Sequence, residues 1–312
     1  MRLFFRKDSF KCLIAFLTVF LFSFSSAYAA DAKLYKPFVM AKTPAGDFNA
    51  AVASTKSTLK NAGFNIVGDY SPYKNAHIFS ITNETVLNIV KNEKAGAYGA
   101  VQRVSVSQVK DKLQVAFTNP EYMAYVYRFK NDFKAIRADL IKALGYQKDF
   151  GAEGLTEKKL RKYNYAWGME EFDEADEIAE YSTYQQAIAA IEKGFKKNKV
   201  GAYKVYRVDV PGKNMTVYGV GLKSPDMFNK YQDDGYIMSV IDFDNDKHAA
   251  HLPYEMVVVG NKIEALNGRF RIAINFPDLS MAGENSFMNI MGAPGGIKKA
   301  LAAVAGGETD EF

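Results

Sequence analysis

The chain has 312 residues, with 40 Lys plus Arg against 35 Asp plus Glu, three His and one Cys. That length suits one large or two modest domains, and a composition 48% hydrophobic and 24% charged excludes disordered, collagen-like and coiled-coil classes. A single Cys excludes a disulfide scaffold, a four-Cys zinc site and a Cys-ligated iron–sulfur cluster.

The first segment reads as a secretory signal peptide over residues 1–29. Arg2, Arg6, Lys7 and Lys11 form a positive start, Cys12 to Phe24 is almost wholly apolar, and Ala27-Tyr28-Ala29 is a small-x-small cleavage site. The apolar run of about 13 residues falls short of the roughly 20 that span a bilayer. Those four basic residues supply most of the excess positive charge, so the chain after Ala29 is nearly neutral and has no Cys. The expectation is a periplasmic or secreted protein without thiol chemistry, without a stable membrane span and without a nucleic-acid partner, since phosphate binding needs a clustered basic face.

Residues 30–145 read as one α+β unit. Phe38 to Ala41 is a strand; Asp47 caps a helix whose apolar positions Phe48, Ala51, Val52, Leu59 and Ala62 share a face; Gly63 ends it. Strands follow at 64–70 and 76–82, a helix at 84–91, a hairpin over 100–118 with its turn near Lys110-Asp111-Lys112, and a helix over 129–144. Residues 146–177 read as a polar linker with a basic run, an acidic run and the sole Trp, Trp167, expected to pack between domains.

The second half repeats the first. Asp47-Phe-Asn-Ala-Ala-Val52 parallels Thr183-Tyr-Gln-Gln-Ala-Ile188, and Asn75-Ala-His-Ile-Phe-Ser-Ile-Thr82 parallels Asn214-Met-Thr-Val-Tyr-Gly-Val-Gly221. Pairing Pro120 with Pro277 makes the stretch from Met256 to Pro277 a strand hairpin and places an insertion of about 18 residues between Leu222 and Leu252. The expectation is a second unit over 178–305, an acidic tail over 306–312, and a monomer with a pseudo-two-fold repeat. Each unit has the order β-α-β-β-α-β-β-α: an antiparallel sheet with helices on one face.

At the second hairpin, His251-Leu252-Pro253-Tyr254, then Glu255-Met-Val-Val-Val-Gly-Asn-Lys262 and Arg271-Ile-Ala-Ile-Asn-Phe-Pro277, resemble the DUF302 family. The resemblance implies a small α+β domain similar in topology to TATA-binding protein, and it implies no activity. Family members often carry Cys after Leu-Pro, where this chain has Tyr254, and the first unit has Gly99-Ala100-Val101 instead.

The most functional-looking segment is Asp242-Phe-Asp244-Asn-Asp246-Lys-His248-Ala-Ala-His251. Asp242, Asp244, Asp246, His248 and His251 could supply ligands for a divalent or copper ion, although Lys247 and Pro253 stand where a calcium loop needs Gly and Glu. The competing reading is an Asp/Asn-rich turn, dispensable for folding because the first unit lacks it. Met215, Met227, Met238, Met256, Met281, Met288 and Met291 crowd the second unit as core filler, as a pocket for variable apolar ligands, or as soft copper ligands. His77 reads as a satisfied strand histidine, and Gly292-Ala-Pro-Gly295-Gly296 as a loop opening a helix. No hydrolase, zincin or haem signature occurs. The leading expectation is therefore a non-enzymatic exported binding protein without a cofactor. Its ligand would be a small, partly apolar molecule or an exported protein, with Trp167, Tyr254, Met238 and Met256 as ligand contacts. The alternatives are a metal or redox accessory protein and an enzyme with a dispersed site.

Overall fold

The computed structural model describes residues 32–197, 201–224 and 227–308; the expected signal peptide, its cleavage site and the last four residues lie outside them. Two antiparallel sheets carry the architecture. The first has strand order β3-β4-β5-β6-β2-β7, built from β2 (Phe38–Met40), β3 (Asn65–Tyr70), β4 (Ala76–Thr82), β5 (Gln102–Val109), β6 (Lys112–Thr118) and β7 (Lys148–Phe150). The second has order β10-β11-β12-β13-β9, from β9 (Asp176–Glu180), β10 (Ala202–Asp209), β11 (Met215–Leu222), β12 (Tyr254–Val259) and β13 (Lys262–Ala265). A separate pair joins β1 (Leu34–Tyr35) to β8 (Leu155–Thr156). The α+β class read from the alternation is the class observed.

Strand for strand, β3-β4-β5-β6-β2 corresponds to β10-β11-β12-β13-β9 in order along the chain and across the sheet. Each outer strand even bulges at the same place, at Val67 in β3 and Val205 in β10. The helices correspond too. α1 (Phe48–Asn61) and α6 (Tyr184–Lys197) follow the first strand of each set, and both start on a short polar side chain: Asp47 Oδ1 accepts from Ala50 N, and Thr183 Oγ1 from Gln186 N. α2 (Glu84–Val90) matches α7 (Asp234–Ile241). α3 (Pro120–Val126) and α4 (Lys134–Leu144) match α8 (Gly268–Ala273) and α9 (Ala293–Ala305), and α5 (Glu157–Leu160) lies between the sets.

Three differences from the sequence reading have clear causes. Helix α4 starts at Lys134 because Arg128 and Phe133 adopt left-handed backbone, which no helix continues through, although Phe129 and Phe133 are still buried. Arg271 to Pro277 is not a strand: Asn267 Oδ1 caps α8 as Asn119 Oδ1 caps α3, so Asn119 pairs with Asn267 and the Pro120/Pro277 equivalence is wrong. Nor is 146–177 a bare linker. It holds β7, β8 and α5, and Leu160, Tyr163 and Phe172 enter the first core.

The extra residues of the second set also lie elsewhere than expected. Asn83 alone separates β4 from α2, whereas residues 223–233 separate β11 from α7. A second extension joins α8 to α9 through residues 274–292, against 127–133 between α3 and α4. The connection that holds the Asp/His stretch, residues 242–253 between α7 and β12, is only one residue longer than its counterpart, residues 91–101 between α2 and β5.

Each sheet packs one face on its own helices. Phe79, Ile81, Val104, Val106 and Phe117 meet α1 and α4, while Tyr218, Val220, Met256 and Val258 meet α6 and α9. The other face of each sheet is closed by the opposite half. The 3-10 turn Gly96–Gly99, just before β5, packs on β11 and β12, and the corresponding turn Ala249–His251, just before β12, packs on β4, β5 and β6. Both faces of both sheets are thus covered, and the described residues from Lys33 onward form one compact unit. No helix among the described residues is long and apolar enough to cross a membrane.

Candidate functional site: the groove and the arginine cluster between the sheets

The Asp/His segment has a structural job. Asp242 ends α7, and its carboxylate accepts the His248 N–H at 3.0 and 3.1 Å and lies 2.9 Å from His248 Nδ1. The His248 ring then sits 5.1 Å from Phe38, 5.2 Å from Phe150 and 5.1 Å from Phe276, while Ala250 packs against Phe38, Met40 and Ala116. Asp246 pairs with Lys148 at 2.6 Å and Asp244 is exposed. His251, fully buried, faces the Tyr254 hydroxyl at 3.2 Å. Burial, with the Arg271 and Arg103 charges behind it, holds His251 well below the ordinary histidine range and therefore neutral. The five residues are not brought together as ligands, and among the described residues no group of three or more His, Cys, Asp or Glu could hold a metal ion. The segment is a plug on the first sheet.

The four expected ligand contacts are dispersed. Trp167 is 98% exposed and fills no interface. Met238 and Met256 are buried in the second core. Tyr254 approaches a small cavity that it shares with Tyr98, Glu255 and Arg271. The expectation for His77 fares better: its ring nitrogens meet Ser71 Oγ at 3.0 Å and Asp69 Oδ1 at 2.6 Å.

Between the sheets lies a polar cluster that alternation alone assigns to solvent. Arg103 on β5 and Glu255 on β12 form an ion pair at 2.9 Å, with side chains 2% and 3% exposed. Their positions match in the two strand orders: Arg103 lies across from Ser80 on β4, Glu255 lies across from Gly219 on β11, and β4 and β11 hold the same place in their sheets. The Tyr206 hydroxyl donates to the other Glu255 oxygen at 2.5 Å. Burial opposes the charge on Arg103, but the facing Glu255 carboxylate outweighs it and raises the guanidinium above its ordinary value. Arg271 on α8 has no such partner. It donates to the carbonyl oxygen of His251 at 2.5 Å, and burial together with the Arg103 charge lowers it. The Tyr98 hydroxyl, buried beside this cluster, has no hydrogen-bond partner, an uncommon state for a buried polar atom.

Tyr98 also belongs to the floor of a surface groove of about 900 Å³ of water-accessible space, where α2 and the first 3-10 turn approach β11, β12 and β13. The floor is an aromatic cluster: Tyr127 stacks on Phe172 at 5.3 Å, and Tyr98 lies edge-on to Phe172 at 5.8 Å and tilted against Tyr127 at 6.0 Å. Lys91, Lys94, Lys130 and Lys213 stand on the rim with Arg128, against Glu93, Asp173 and Glu264. Two of these acids are committed. Glu93 accepts the backbone N–H groups of Lys130 and Asn131 at 3.0 Å each, and Asp173 pairs with Arg128 at 2.9 Å. Glu264 is raised, first by burial. The rim therefore carries a lysine excess over an aromatic bed, an arrangement that suits an anion with an apolar body. None of these groove residues was singled out from the sequence, because they come from separate elements in both halves and form no local motif.

Compared with known proteins, the chain matches no family model, no curated protein and no solved structure.

Proposed function

We propose that this is an exported, non-enzymatic binding protein that takes a small, partly apolar anion in the groove between the two halves. The observation that carries the reading is the groove itself, in which lysines outside any ion pair among the described residues surround clustered aromatic rings and one of those rings, Tyr98, holds an unsatisfied buried hydroxyl. We further propose that the two halves arose by duplication and are related to the DUF302 family; the matching strand order and the matching bulges support this. Export rests on the signal-peptide pattern of residues 1–29.

The test uses the purified chain and 1-anilinonaphthalene-8-sulfonate, a rigid aromatic anion whose emission reports a dry site. One-to-one binding is expected. Lys94→Glu/Lys130→Glu/Lys213→Glu should weaken it at least about tenfold, since each reversed charge beside a bound anion acts at short range in a partly desolvated groove. Unchanged binding in the triple variant, with an unchanged melt, would remove the groove as the site.

A further inference from the structure

The methionines of the second half fall into two groups. Met215, Met238 and Met256 are buried, whereas Met281, Met288 and Met291 are exposed to 66%, 59% and 64%; the side chain of Met227 lies outside the described residues. All three exposed residues belong to the extension 274–292, which the corresponding connection 127–133 in the first half does without.

That extension is ordered by its own hydrogen bonds. Phe287 N donates to Ser280 O at 2.9 Å and Met288 N to Met281 O at 3.2 Å, two successive rungs that set Met281 beside Met288. Residues Phe287–Ile290 then form a 3-10 turn, and Met291 N donates back to Met288 O at 3.4 Å. In such a turn, residues three apart eclipse, about 6 Å apart along its axis, so Met288 and Met291 share one face. Ser286 Oγ and Asn289 Nδ2 each donate to Gly283 O at 2.8 Å, and Ile290 is fully buried in the second core as an anchor. A well-tied loop thus holds three thioethers in water, where their burial energy is forfeited.

We propose that Met281, Met288 and Met291 form a three-thioether binding site for a single soft monovalent cation, Cu(I). Thioether sulfur is neutral and polarizable; it favours Cu(I) and binds hard or borderline divalent ions poorly. Three flexible side chains on adjacent backbone positions can converge on one ion without moving the loop. The site is separate from the groove and does not depend on the function proposed for it.

The full chain is titrated anaerobically with Cu(I) against a chromophoric Cu(I) chelator, and Ag(I) serves as a redox-inert substitute. One equivalent should be retained, with sulfur-only coordination in the X-ray absorption spectrum and no comparable uptake of Zn(II) or Mn(II). Met288→Leu should lower the affinity at least about tenfold, and Met281→Leu/Met288→Leu/Met291→Leu should abolish retention. Met169→Leu, an exposed methionine outside the loop, should change nothing. Because all three positions are exposed, the Leu variants should keep the wild-type melt and the wild-type groove titration. Failure of the wild-type chain to hold Cu(I), coordination by nitrogen or oxygen, or equal retention by the triple variant would overturn the proposal.

Discussion

Replacing Glu255 by Met should be among the most damaging single changes in the molecule, and replacing Arg103 at the same time should undo most of the damage. The Arg103–Glu255 pair is almost fully withdrawn from water, so removing the carboxylate leaves a guanidinium buried beside Arg271 with nothing to offset it. Breaking such a pair costs about 3–5 kcal/mol, because the stranded charge keeps its desolvation penalty. At about 2–4 °C per kcal/mol for a chain of this size, Glu255→Met should lower the melting temperature by roughly 6–20 °C. In Arg103→Met/Glu255→Met neither charge remains, and the main residual loss is the Tyr206 hydroxyl left without its acceptor, about 1–3 kcal/mol. Arg271 also gains, since the Arg103 charge no longer opposes its own. Urea denaturation of the wild type, both single variants and the double variant completes the cycle, read from midpoints at a common slope. A double variant whose loss equals the sum of the single losses to within about 0.5 kcal/mol would refute the reasoning, because independent positions add and paired ones do not.

Gly219→Ala should destabilise by about 1–3 kcal/mol, because a Cβ there would lie 2.2 Å from the Tyr206 ring that covers it across the strand pair; an unchanged urea midpoint would mean the ring can lift away at no cost. Asp234 is buried, and desolvation raises its carboxyl well above 3.8 despite the hydrogen bond from Leu222 N, so the folded chain holds a proton that the unfolded chain releases. Stability should therefore fall as pH rises above about 4. Asp234→Asn should flatten that slope and raise the melting temperature at pH 7, and a pH profile identical to wild type would count against it. His251 has the opposite sign: neutral when folded and protonated when unfolded below its ordinary 6.5, it should cost stability as pH falls below that value. His251→Gln should flatten this acid limb in thermal melts between pH 5 and 7. Trp167, the sole Trp, should emit like free indole in water and be quenched by acrylamide at a nearly diffusion-limited rate; a blue-shifted, protected emission would place it in a contact.

The alternation of Ala76–Thr82, Gln102–Val109 and their counterparts made the sheets legible, since a period of two survives any packing that covers one face. The same rule hid the site. Arg103, Ser105 and Ser107 are the polar members of an alternating strand, which reads as a solvent face, yet all three are buried because the other half covers them. No property of either half alone signals that second layer. Helix α3 was readable in principle, because Asn119 followed by Pro120 is a cap followed by a residue suited to the first helical position. Read instead as the end of a hairpin, Pro120 pairs with Pro277 and the register of the second hairpin shifts with it. The charged stretch 146–177 concealed Lys148–Phe150 because an edge strand of three residues has too few positions to show a period. The Asp/His stretch had the composition of a ligand set and the geometry of a plug, a distinction set by which carboxylate faces which backbone amide.

The reciprocal turns bear on when this chain can finish folding. The first sheet can assemble once residue 150 has been made, but the turn that closes its open face is Ala249–His251, about a hundred residues later in synthesis. Until then Ile78, Ala116 and the uncompensated Arg103 stand exposed, and the second sheet in its turn depends on Tyr98 from the first. Each half closes the open sheet face of the other, so the complete core needs nearly the whole polypeptide. A chain held back in this way stays pliable through most of its synthesis, which is compatible with the export proposed above.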